Sequence, residues 1–134
     1  MSTPRAWAFA LTLFTSSAIA CTPSPVQKTV SERVKELYEY YAVVAHVRLG
    51  PTLSAPLEHP TRAAVLVVES FKGSAPQSVS RDMTTCGFDL KKEEGREFVI
   101  FIERDGYPIG VGNVIWQEEV AAALPVLREL RAKR

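Results

Sequence analysis

"TRAAVLVVESF", Thr61 to Phe71, is apolar at both parities from Ala63 to Val68. Successive strand residues point to opposite faces, so such a run describes a strand covered, at least in part, on both sides. "REFVIFIER", Arg96 to Arg104, repeats the pattern from Phe98 to Ile102. Three more strands read outward from these two: "AVVAHVRL" (Ala42 to Leu49), "SVSRDMTT" (Ser78 to Thr85) and "GNVIWQ" (Gly112 to Gln117). Gly73, Gly87, Gly95, Gly106 and Gly110 fall between them as turn residues, and a Pro-punctuated loop runs from Gly50 to Pro60. Five strands with only short helices to cover them favour a mainly β fold, a closed or strongly curved antiparallel barrel.

The helices flank the strands. In "SERVKELYEYY" the residues Val34, Leu37, Tyr38 and Tyr41 recur at helical spacing with Glu32, Glu36 and Glu39 opposite, and Ser31 reads as the N-cap. The C-terminal "EEVAAALPVLRELRAKR", residues 118–134, reads as a helix that Pro125 is expected to kink or divide. Residues 21–29 form an extended lead, because Pro23 and Pro25 disfavour helix for themselves and for the residues before them.

"MSTPRAWAFALTLFTSSAIA" has one cation, an apolar run from Ala6 to Phe14 and small residues ending in Ala18-Ile19-Ala20, the layout of a secretory signal peptide over residues 1–20. The run is too short to span a bilayer core of roughly 30 Å. Residues 21–134 are then a single exported domain. Of the 16 Lys plus Arg only Arg5 is in the leader, which leaves 15 cations against 15 Asp plus Glu. That balance argues against a nucleic-acid partner. The basic tail Arg128, Arg131, Lys133, Arg134 reads as cations set against a helix dipole.

Both cysteines, Cys21 and Cys86, lie in the exported part. Oxidising conditions there let a disulfide persist, and one between them would close a loop worth roughly 4 kcal/mol in chain entropy. Ala18-Ile19-Ala20-Cys21 also fits a permissive lipobox, in which case Cys21 carries lipid and Cys86 is a lone thiol. Ala18 stands where Leu is usual.

The chain has no phosphate-cradling Gly-rich loop, Cys-x-x-Cys, H-E-x-x-H or G-x-S-x-G. It offers no catalytic residue, metal ligand or cofactor site by motif, and the expectation is a non-enzyme. His46 reads as a surface or edge residue, His59 as a loop residue, and Glu93-Glu94 as part of a solvated turn. Trp116, Tyr38, Tyr40 and Tyr41 read as core. An enzyme assembled from distant positions such as His46, Asp82 and Glu103 is the least favoured reading.

Several stretches in order carry a resemblance. The mature start Cys21-Thr22-Pro23, then "YAVVAHV", "VVESFKG", "TTCGF" and "GREFVIFI" resemble the netrin-like domain shared with the tissue inhibitors of metalloproteinases, over about Cys21 to Trp116. The most specific element is an N-terminal cysteine with a later Cys-Gly-aromatic, here Cys86-Gly87-Phe88. The resemblance implies an OB-type five-stranded antiparallel barrel and a disulfide from Cys21 to Cys86. It also implies that the free amine and carbonyl of Cys21 chelate the zinc of a metalloprotease while Thr22 enters the adjoining pocket. The family's inhibitors have a cysteine two residues after the first, where this chain has Pro23.

The resulting expectation is an exported protein-binding module of the periplasm or extracellular space, with a protein partner that the resemblance makes a zinc metalloprotease, and with the disulfide preferred at Cys21. The alternative is a lipid-anchored cell-envelope lipoprotein with a structural or assembly role. Membrane contact follows only if Cys21 is lipidated.

Overall fold

The alternation read in the first strand places Val43, Ala45, Val47 and Leu49 on one face and Val44 on the other, and all five are buried. They belong to the central strand of a sheet seen in a computed structural model, which describes residues 28–53, 62–81, 89–104, 108–109 and 111–134. The elements in chain order are α1 (Val30–Tyr40), β1 (Val43–Thr52), β2 (Arg62–Lys72), β3 (Ser78–Arg81), β4 (Glu97–Ile102), β5 (Pro108–Ile109), β6 (Val114–Ile115) and α2 (Gln117–Ala132). The strand order is β5-β3-β2-β1-β4-β6.

The fold is mainly β, as the patterning predicts. Five strands pair antiparallel into a curled half-barrel, with one helix before and one after; β5, not read from the sequence, adds in parallel to β3. The register of β1 against β2 shifts at three places, and each bulge adds local twist. The curl brings residues of β5, at one end of the sheet, within 8 Å of β4, next to the other end.

Each face of the sheet holds its own core. Val43, Ala45, Val47, Leu49, Ala63, Val65, Val79, Phe98, Ile100, Ile102, Ile109 and Val114 fill the concave side, with Leu90 and the edge of Trp116 closing it. On the other side Val44, Phe71, Val99, Phe101 and Ile115 are covered by Val34 and Tyr38 of α1 and by Val120, Ala123 and Leu127 of α2. The two-sided burial expected of Phe98–Ile102 is therefore observed, and each such large side chain contributes about 1.5–3 kcal/mol of transfer free energy.

Some local expectations are corrected. The α1 N-cap is Thr29, not Ser31: the Thr29 hydroxyl accepts the Glu32 N–H at 3.2 Å while the Glu32 carboxylate accepts the Thr29 N–H at 2.9 Å, a reciprocal capping box. Pro125 does not divide the last helix, which runs unbroken. Pro125 is exposed there, so water can reach the carbonyl whose helical donor the proline lacks. β1 continues through Gly50 and Pro51, three residues past Leu49. β3 ends at Arg81, and the rest of the expected third strand lies outside the described residues. Gly73, which closes β2, has φ +63° and lies so near Ala42 that a Cβ would stand 2.6 Å from the Ala42 carbonyl oxygen.

Candidate functional site

His46, Arg48 and Glu97 share the helix-side face of the sheet, where β1 and β4 pair Arg48 with Glu97 and His46 with Val99. Contrary to the surface or edge position expected of it, His46 is on the central strand and only 6% exposed. Its Nε2 is 3.2 Å from Glu97 Oε2, and Arg48 donates to Oε1 at 2.9 Å. A carboxylate can only accept, so Nε2 carries the proton. The Arg48 bond first, then that of His46, holds the Glu97 carboxyl below the usual carboxylate range. Gln117, the first residue of α2, accepts the Glu97 N–H at 3.1 Å and fixes the helix start against β4.

Across the other pairing, His46 stands opposite Glu69 and Arg48 opposite Leu66. Glu69 accepts from Arg128 at 2.9 Å and from Arg131 at 3.0 Å, and these guanidiniums, Arg128 foremost, lower its pKa. Arg131 also donates to the Ser70 carbonyl at 3.0 Å and lies over the Phe71 ring. The basic tail thus reaches down onto β2 instead of serving only the helix dipole. Lys72 donates to the Tyr38 carbonyl at 2.6 Å beside the Tyr38 ring, and burial, with Arg134 nearby, lowers its pKa.

Between these charged groups lies an apolar stretch. Leu66, Val67 and Val68 are 62%, 47% and 53% exposed although they sit in the middle of β2. The two-sided cover expected of Ala63–Val68 fails at these three residues. β3 pairs with β2 only from Arg62 to Ala64, and α2 reaches it at Glu69 and Ser70. A contiguous exposed apolar strip rimmed by charge suits contact with another macromolecule more than it suits chemistry.

Cys21, Thr22, Cys86, His59 and Asp82 all lie outside the described residues. Glu103 is exposed just beyond β4 and four positions from Val99, the residue opposite His46, or about 13 Å along the strand, so His46 and Glu103 are not brought together. Glu93 bonds Arg96 at 2.8 Å in the turn before β4, and Glu94 is exposed beside it, which makes no paired carboxylate site. Of the aromatic residues read as core, Tyr38 is buried, Tyr41 packs on Phe101 and Trp116 meets Phe98 edge-on at 5.8 Å, whereas Tyr40 is exposed. Among the described residues no three His, Cys, Asp or Glu side chains are grouped so as to hold a metal ion, and no helix is long and apolar enough to cross a membrane.

Glu97, Glu69 and the Leu66–Val68 strip were not singled out from sequence. A signal for Glu97 was present: His46 and Arg48 share one strand parity, and a histidine buried on a central strand requires a partner for its ring N–H, which a neighbouring strand can supply. Comparison of the chain with protein-family models, curated proteins and solved structures finds no match.

Proposed function

We propose that residues 21–134 act as an exported, non-catalytic protein-binding module. The observation that carries this reading is the Leu66–Val68 strip, three successive large apolar residues left exposed in the middle of a strand. The leader-like residues 1–20 support export, and the neutral charge balance weighs against nucleic acid. The specific activity that the resemblance to the tissue inhibitors of metalloproteinases supplies is inhibition of a zinc metalloprotease. In it Cys21, held to Cys86 by a disulfide, presents its amine and carbonyl to the metal and Thr22 enters the next pocket.

A panel of zinc proteases assayed against the mature protein, with and without one extra N-terminal Ala, tests this activity. Inhibition lost on extension is the expected result, since an amide nitrogen cannot replace the amine as a ligand. Inhibition by neither form removes the inhibitor reading, and equal inhibition by both moves it away from Cys21. The alternative, a lipid-anchored envelope protein, is favoured by Ala18-Ile19-Ala20-Cys21; intact mass decides it, because acylation of Cys21 adds the mass of its chains.

A further inference from the structure

We infer that the β2 edge from Leu66 to Glu69 takes an added strand from another protein, an extended apolar segment that carries carboxylates toward its ends. The inference rests on the protein-binding reading above and names the surface and the partner chemistry for it.

The backbone directions are fixed by bonds on either side. Val65 donates its N–H to the Gln77 carbonyl at 2.9 Å, so the Val65 backbone groups point away from β1. On β1, Leu49 directs its own N–H to Arg96 and its carbonyl to Gly95, consistent with a Val65–Leu49 pair that exchanges no hydrogen bond. Two residues on, Val67 has the same orientation, and its N–H and C=O point to the side where β3 no longer pairs. The register shift between His46 and Val47 leaves Val68 as the extra residue and reverses the phase. Ser70 therefore turns its carbonyl outward, where Arg131 takes it at 3.0 Å. Gln77 closes one end of the edge and Arg131 the other. The opening between them is about 13 Å long, room for a segment of four residues.

Charge selects the occupant. Among the described residues, Arg48, Arg62, Arg128 and Arg131 stand around the opening against Glu69 and Glu97, two more cations than anions. Arg128 and Arg131 share the single carboxylate of Glu69. A second copy paired antiparallel through its own β2 would set the Arg62 end of one copy toward the Arg131 end of the other, cation against cation. An acidic, apolar strand from a different protein meets the opposite sign at both ends, with main-chain bonds at Val67 and side-chain contact on Leu66 and Val68.

The test uses mature protein labelled for amide NMR and titrated to millimolar concentration with capped peptides that alternate Val and Thr, ending either in Glu or in Lys. The expected result is that the Glu-ended peptide shifts amides confined to Leu66–Glu69 and their β1 neighbours, and that the Lys-ended peptide binds at least tenfold more weakly. Val67→Pro, which removes only an outward N–H, and Val68→Glu, which leaves the backbone intact and repels the acid, should each weaken binding at least tenfold. No shift, shifts centred elsewhere, equal binding of both peptides, or unaltered binding by a folded Val68→Glu variant would each overturn the inference. Protease inhibition that survives in Val68→Glu would show that the binding-module reading stands without this edge.

Discussion

His46 owes its burial to Glu97, and the two should respond unequally to substitution. Removing the carboxylate as Glu97→Ala leaves a buried imidazole N–H unpaired and should cost about 1–3 kcal/mol at pH 7, whereas His46→Val removes the buried polar group itself, suits a central strand, and should be closer to neutral. Urea melts of the two variants compare them, and a larger loss for His46→Val would refute the assignment of Glu97 as the essential partner. Acid should expose the same logic at Glu69, whose carboxyl is held low by Arg128 and then Arg131. A carboxyl with a depressed folded-state pKa stabilises above its unfolded value, ordinarily about 4.5, and loses that contribution as pH falls through the folded value. Wild type should therefore exceed Glu69→Gln in stability by a constant margin above about pH 5, with the margin shrinking below about pH 4.5. Melts from pH 7 to 3 measure it, and a margin that grows in acid would contradict the ion pair. The parity of His46 and Arg48 was legible in the sequence, but which strand supplied their acceptor was not, because β4 follows β1 by some fifty residues and only the register of pairing joins them.

At the scale of elements, apolar patterning located both helices and five strands: the helices by a period of 3.6, the strands by short apolar runs bounded by turn residues, as in β4, which is buried on both faces. It misplaced what depends on a single hydrogen bond or on a neighbour's length. Thr29 and Ser31 are both acceptable caps by residue type, and only the reciprocal bonds with Glu32 choose between them. Thr29→Ala should accordingly cost about 1 kcal/mol and Ser31→Ala, at the first turn without a cap bond, less than about 0.5 kcal/mol. Denaturant midpoints at fixed pH read both, and an equal loss in the two would place the cap wrongly. The two-residue strand at Pro108–Ile109 is too short for any pattern to show. The exposed middle of β2 has the same composition as a covered strand, and its exposure comes from β3 beginning only at Ser78, opposite Ala64, which no property of Leu66, Val67 or Val68 reveals.

For the molecule as a whole, the curled sheet with a helix-covered back follows from two-sided apolar strands that lack enough helix to cover both faces, so the sheet must cover one face by curling on itself. Whether a covalent tie adds to that arrangement rests on Cys21 and Cys86, sixty-five positions apart. The loop between them holds α1, β1, β2 and β3, while β4, the second partner of β1, lies beyond it. Closing a loop of that length removes chain entropy worth roughly 4 kcal/mol from the unfolded state, a large share of the 5–15 kcal/mol typical of a domain. If the disulfide forms, Cys86→Ser should cost about 2–5 kcal/mol in protein exported and assayed without reductant. Cys21→Ser should cost the same, and the double variant no more than either, since both remove one bond. Reductant should bring wild type down to the variants and leave the variants unchanged. If Cys21 is instead lipidated, Cys86→Ser should cost nearer 1 kcal/mol, reductant should do nothing, and the intact mass should carry acyl chains. Three concordant melts and one mass thus decide between a rigid N-terminus, which the proposed zinc ligation requires, and a tether, which would exclude it.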